Sequence, residues 1–341
     1  MRTPAALTLA AVLTLGGAAP AHAAVVHDGA TPASGASAAR AVTDARVLAI
    51  SVDGLNPAAI RRLGTTRAPV LNRLVAEGAA TLNARTDVER TVTLPNHTSM
   101  VTGRRIEAAT GGHGVTWNDD LRERTVQAAA GHPVDSVFTV VDQAGGDSAL
   151  FAGKDKFSLF PRSWPGTVDR FTLAGKPAKL VRAARGDLLH ADRELTFLHL
   201  ALPDEAGHRA GFMSPAYLDA VARTDQLIGT LVRAIENHAA LRDAVTLVLT
   251  ADHGGKGANH DVATRLANYR IPFLAWGAGV TAGDLYAMNP TRTDPGRTRP
   301  SYDAAPPVRN GDLANLVATL LGLRAVAGSE FGATQDLRVG G

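Results

Sequence analysis

Cysteine is absent from all 341 residues, so neither disulfides nor thiolate metal ligands contribute to this fold, and any metal would be held by imidazole and carboxylate. Charge of one sign is also lacking. The 35 Lys and Arg against 32 Asp and Glu leave a formal excess of +3, too little to form a basic footprint for a nucleic-acid duplex. Long apolar runs are missing beyond the N-terminus, where residues 5–17 follow Met1-Arg2 and precede Ala21-His22-Ala23. That run is shorter than the ~18 residues of a membrane span and ends in a small-residue cleavage site. Residues 1–23 are therefore expected to be a Sec-type signal peptide, with export of the mature protein. No internal repeat is evident, and a monomer is the default expectation.

Residues 24–45, rich in Ala, Ser and Gly, read as a loose lead-in to one catalytic domain over residues 46–341. Short β-branched or apolar runs predict strands at residues 47–52, 149–152, 195–200, 245–250 and 271–276. Apolar residues at helical spacing predict helices at 68–77, 215–237 and 312–321. Alternation of the two implies an α/β fold, with a mostly parallel central sheet carrying helices on both faces. Residues 284–308, crowded with Pro, Thr, Arg and Asp, read as a surface excursion.

Polar residues suited to metals stand directly after these strands, where open α/β sheets place their ligand sites. Asp53 ends the first run; taken alone, it reads first as a turn or helix-cap aspartate before Gly54. Beyond the third comes Leu202-Pro203-Asp204-Glu205-Ala206-Gly207-His208, whose four-residue spacing lets Asp204 and His208 converge if the segment is helical. After the fourth stand Asp252-His253-Gly254-Gly255 and then His260, the glycines being expected to permit a tight turn. Three carboxylates and three imidazoles at strand ends supply donors that zinc accepts. His199, inside a strand pattern, and His238, at a helix end, are expected to be structural or solvent-facing.

A nucleophile is offered by Thr91-Val92-Thr93-Leu94-Pro95-Asn96-His97. Thr93 falls where a helix N-cap is expected, beside free backbone N–H groups and the positive end of a helix dipole, which together suit a phosphate. Its hydroxyl is weakly nucleophilic unless a metal activates it. Downstream, Asn118 offers an amide that could donate to a phosphate oxygen.

These ordered motifs resemble the nucleotide pyrophosphatase/phosphodiesterase branch of the alkaline phosphatase superfamily, over residue 47 to the C-terminus. The resemblance implies an alkaline-phosphatase-like fold and two Zn2+ ions. One ion would gather Asp53, Thr93, Asp252 and His253; the other would gather Asp204, His208 and His260. It implies a covalent phospho-threonine intermediate and a small-molecule phosphate ester as substrate, with Asn118 matching the family's phosphate-binding asparagine. His260 departs from larger members in following His253 by only seven residues. A sulfatase of the superfamily needs Cys or Ser where this chain has Thr93. A phosphomonoesterase is the nearer alternative: Lys or Arg in the pocket would favour monoesters, whereas Asn and apolar surface favour diesters. A non-catalytic exported metal-binding protein is the alternative from another class. The segment 119–194, with Lys154, Lys156 and Trp164, is assigned to the substrate side by position.

Overall fold

The computed structural model describes residues 44–340, so the expected signal peptide and most of the lead-in lie outside the described residues. Eight strands form one sheet: β1 (Arg46–Val52), β2 (Ala79–Arg85), β3 (Ser148–Ala152), β4 (Arg170–Leu173), β5 (Leu195–Leu200), β6 (Val245–Thr250), β7 (Arg270–Gly277) and β8 (Gly283–Asp284). Their order is β4-β3-β5-β1-β6-β7-β2-β8. The first five in that order run parallel, and β7 runs antiparallel to both its neighbours.

The central strands have no polar face because they have no solvent face. Every residue of β3, β5 and β6 is buried, which requires helices on both sides of a parallel sheet. The helices Pro57–Arg67, Pro69–Glu77, Pro177–His190 and Pro215–Asn237 pack on one another, and Thr93–Thr102, Val137–Gln143 and Asp312–Leu320 form a second group. The long Pro215–Asn237 helix starts at Ser214, whose side chain accepts from Tyr217 N, and has Pro215 in its first turn. It buries Leu218, Val221, Ile228, Leu231 and Ile235 at helical spacing, each worth roughly 1.5–3 kcal/mol.

The strand register decides where the chemistry sits. Ser51 on β1 is level with His199 on β5 and Thr250 on β6, so three adjacent parallel strands end together. Their continuations carry Asp53, Asp204 and Asp252, while β3, on the far side of β5, continues into Gly153 and Lys154. The 284–308 segment is largely exposed, yet it also covers a buried cation. The fully buried Arg85 donates to the carbonyls of Gly296 and Thr298 at 2.9 Å each.

Candidate metal centre

Two groups of three side chains meet at the carboxyl end of the sheet. Within each, ligand atoms lie within 4.8 Å of one another: Asp53, Asp252 and His253 in one, Asp204, His208 and His260 in the other. The chain brings them together by three local devices. After β1, Gly54 adopts φ +69° and donates its N–H to Asp252 Oδ1 at 3.0 Å, tying the first turn to the fourth motif. After β5 the chain enters the helix Leu202–Ala210, which puts Asp204 and His208 on one face, Nε2 to Oδ1 3.3 Å. After β6, Asp252 and His253 follow one another, with His253 Nε2 3.1 Å from Asp252 Oδ2 and 3.5 Å from Asp53 Oδ1.

Gly254 and Gly255 do not turn the chain through positive φ, as their sequence context suggested. They allow close approach instead. A Cβ on Gly255 would stand 2.3 Å from the Phe212 ring, and one on Gly254 would stand 2.2 Å from Ala267 O. Phe212 in turn meets the rings of His208 and His260 edge-on, at 5.6 Å each.

Hydrogen bonds set the imidazole tautomers. His253 Nδ1–H donates to Gly254 O at 2.8 Å and His260 Nδ1–H to Thr91 O at 2.6 Å, leaving both Nε2 lone pairs for the site. This is the usual outer support of a metal-binding histidine. The two rings stack at 3.6 Å, bringing the groups side by side. His208 is half exposed, so the second group faces solvent.

Of the ten buried side-chain atoms without a hydrogen-bond partner among the described residues, four lie in the two groups: Asp53 Oδ1, Asp204 Oδ1, Asp252 Oδ2 and His253 Nε2. A buried polar atom without a partner costs about 1–3 kcal/mol, more when charged. That all four converge on one place fits a centre built for cations. Electrostatics agree. Burial, followed by the charges of Asp53 and Asp204, drives the Asp252 carboxyl well above its usual range, because one ammonium cannot balance three carboxylates. Burial also opposes ionisation of Asp53, but Lys154 and a bond from His199 outweigh it and hold its pKa well below normal. Asp204 is held to about 2: burial and the repulsion of Asp53 oppose its ionisation, but the His208 imidazole, 3.3 Å from its Oδ1, and the charge of Lys154 overcome them.

Thr93 opens the helix Thr93–Thr102, but Val92, not Thr93, occupies the N-cap, and the cap makes no side-chain bond. The acceptor comes from elsewhere in the chain. Asn118 Oδ1 takes the Leu94 N–H at 3.0 Å, relieving Thr93 of a capping role and leaving the Asn118 amide nitrogen to donate. Thr93 is tied to the first group through His97, whose Nδ1–H bonds Thr93 O at 2.8 Å and lies 3.7 Å from Asp252 Oδ2.

Two residues join the site against or beyond expectation. His199, expected to be a structural or solvent-facing residue, is fully buried and takes the Gly153 N–H on Nδ1 at 3.2 Å. Its Nε2–H therefore donates to Asp53 Oδ2 at 2.9 Å. Lys154 Nζ lies 2.6 Å from both Asp53 Oδ2 and Asp204 Oδ2, bridging the two groups. Burial disfavours its ammonium, but the two carboxylates more than compensate and raise its pKa. A histidine in a mostly apolar strand and a lysine two residues past another strand were the available sequence signals. Trp164, by contrast, is buried, and its indole N–H donates to Val134 O at 2.7 Å.

The profile of the type I phosphodiesterase / nucleotide pyrophosphatase family matches residues 47–132 and 115–305. Curated relatives include GPI ethanolamine phosphate transferase 1 of Schizosaccharomyces pombe, 36% identical over 94 residues, which are 28% of this chain and 10% of that protein. The Chaetomium globosum protein of the same name is 32% identical over 149 residues, 42% of this chain and 16% of its own length. This chain thus spans only a small part of those relatives. Among solved structures, murine ectonucleotide pyrophosphatase/phosphodiesterase 5 superimposes with a TM-score of 0.60 at 17% identity, covering 86% of this chain and 99% of that one. A 2-O GAG sulfatase gives 0.58 at 14%, covering 83% and 72%. At such identities these likenesses establish the alkaline-phosphatase-like fold alone.

Proposed function

Because this chain belongs to the type I phosphodiesterase / nucleotide pyrophosphatase family, we propose that it is an exported, two-zinc phosphoester hydrolase whose nucleophile is Thr93. The observation that carries the metal reading is that four of the ten partnerless buried side-chain atoms among the described residues belong to the two groups. Asp53, Asp252 and His253 would hold one ion, with the Thr93 hydroxyl directed to it; Asp204, His208 and His260 would hold the other. Bound there, zinc would supply Lewis-acid charge that lowers the pKa of a hydroxyl or water and neutralises phosphoryl oxygens.

The chain's own groups do the positioning. His199 fixes Asp53, His97 fixes the Thr93 backbone, and Asn118 anchors the helix that presents Thr93. In the first step the Thr93 oxygen bonds to phosphorus as the ester oxygen leaves with the bonding pair. In the second, water displaces the threonine oxygen, releasing phosphate or its monoester. The Asn118 amide nitrogen would donate to a phosphoryl oxygen as charge builds there.

Phosphodiesters are the substrate class favoured by family membership and by Asn118. The transferase names of the curated relatives favour a second reading, in which an alcohol takes the phosphoryl group in place of water. Zinc-loaded protein should release p-nitrophenol from bis(p-nitrophenyl) phosphate, and an added acceptor alcohol such as glycerol would reveal transfer as a new phosphodiester product. Absence of turnover on diesters and monoesters alike, with zinc bound, would leave a non-catalytic metal-binding protein.

A further inference from the structure

We propose that Asn96 is a positioning residue that holds the Thr93 nucleophile in register with both metal groups at once. The inference rests on the two-zinc reading above. Asn96 is fully buried in the Thr93–Thr102 helix, and its side chain reaches back to the segment that leads into that helix. Its amide nitrogen donates to Arg90 O at 2.8 Å and Val92 O at 3.0 Å. Its Oδ1 accepts from the Asp87 N–H at 3.1 Å and from Asn310 Nδ2 at 3.0 Å. An amide has two N–H donors and two acceptor lone pairs, so this one is saturated. Turning it over would set its NH2 against two donors and its oxygen against two carbonyls, which leaves a single orientation.

Three routes lead from that amide to the site. Val92 is the N-cap directly before Thr93, so fixing its carbonyl fixes where the helix begins and where the nucleophile stands. Arg90 and Val92 flank Thr91, whose carbonyl takes the His260 Nδ1–H and whose hydroxyl donates to His260 O. Clamping both sides of Thr91 therefore sets the ring of a ligand in the second group. Asn310, bonded to Asn96 Oδ1, also donates to the backbone carbonyl of Asp252 at 3.4 Å, in the first group. Thr91, Asn96, Asp252 and Asn310 are all fully buried, where the members of a hydrogen-bonded network act as a unit. His97 ties Thr93 to the first group alone; Asn96 reaches both. Displacing a nucleophile by about 1 Å can cost about 10²-fold in rate.

The test compares wild type with Asn96→Ala, which removes the clamp without adding charge, and with Thr102→Val as control. Thr102 bonds Thr98 O in the same helix and the Arg104 N–H, so its loss weakens the helix without touching the clamp. Each is assayed on bis(p-nitrophenyl) phosphate at measured zinc content, with Tm by calorimetry and zinc affinity by stepwise chelator competition. In Asn96→Ala, kcat per zinc-loaded molecule should fall about 10- to 100-fold with KM changed less than about threefold. One of the two ions should also bind about 10-fold more weakly. Thr102→Val should lower Tm yet keep kcat and zinc affinity within about threefold. If Asn96→Ala does not fold, Asn310→Ala, which removes one of the four bonds, replaces it, and kcat should fall about five- to 10-fold. An Asn96→Ala protein that loses Tm but keeps kcat would overturn the proposal and leave Asn96 a structural residue of the loop. Losses of the same size in Thr102→Val would overturn it too. A wild-type protein that binds zinc but cleaves no ester would sink the hydrolase reading separately. Zinc competition would then decide: one weakened ion in Asn96→Ala supports the clamp, and unchanged affinities overturn it.

Discussion

Zinc removal should destabilise this protein by an amount the buried atoms foretell. Stripping the metal leaves Asp53 Oδ1, Asp204 Oδ1, Asp252 Oδ2 and His253 Nε2 without partners. At about 1–3 kcal/mol each, they represent at least ~4 kcal/mol that ligation can recover. Linkage gives a similar figure: two ions, each at ~100 times its Kd, stabilise by ~5 kcal/mol together. An unfolding entropy of ~2.1 cal/mol/K per residue over a ~300-residue domain converts this to a Tm change of roughly 8 °C. Differential scanning calorimetry of one preparation, dialysed against chelator and then given back zinc, measures it. The gain should also widen with rising pH. Burial and then Asp53 and Asp204 raise the Asp252 pKa in the metal-free fold. Its stabilising contribution is complete below the unfolded carboxyl pKa of ~3.9 and is lost as pH rises through the folded value. The loaded protein, which holds Asp252 ionised, escapes that loss. A Tm that stays within about a degree across the chelator-to-zinc range would refute the reasoning, since four orphaned buried atoms should respond to their ligand.

Three further outcomes follow from individual contacts. His199→Phe keeps a ring against Phe157, now stacked at 4.2 Å, but removes the donor to Asp53; zinc affinity by chelator competition should fall about 10- to 100-fold, and an unchanged value would deny His199 a positioning role. Gly255→Ala drives a methyl into Phe212, so overpacking of about 1–3 kcal/mol is expected, with zinc lost first from the His208 and His260 side that Phe212 touches. Loss of metal from the Asp53 group first would contradict that coupling. Thr93→Ala should retain zinc and lose at most about 1 kcal/mol of stability, because its side chain caps no helix; a large fall in Tm would mean the hydroxyl has a structural role.

How much of this was legible beforehand depended on whether a residue's role is local. The runs behind β1, β3, β5, β6 and β7 declare themselves because strands buried on both faces are predominantly apolar. β2 and β4 do not: one carries Asn83 and the buried Arg85, the other has no fully buried residue. Ligands directly after strands could be read for the same local reason, and all six candidates meet in the two groups. His199 and Lys154 gain their roles from strand order, which places β3 and β1 on either side of β5, and Phe212 gains its role from a backbone bridge to Gly257. The capping exchange between Thr93 and Asn118 was hidden likewise, since the acceptor lies 24 residues from the N–H it serves.

The most direct test of the central claim is to trap the covalent intermediate. Zinc-loaded protein is mixed with a phosphate ester labelled at phosphorus, quenched in acid during turnover, digested, and read by mass spectrometry. Label should sit on the peptide containing Thr93 and be absent from Thr93→Ala, which should also be inactive. Turnover with label on another residue, or full activity in Thr93→Ala, would contradict the claim that Thr93 attacks phosphorus.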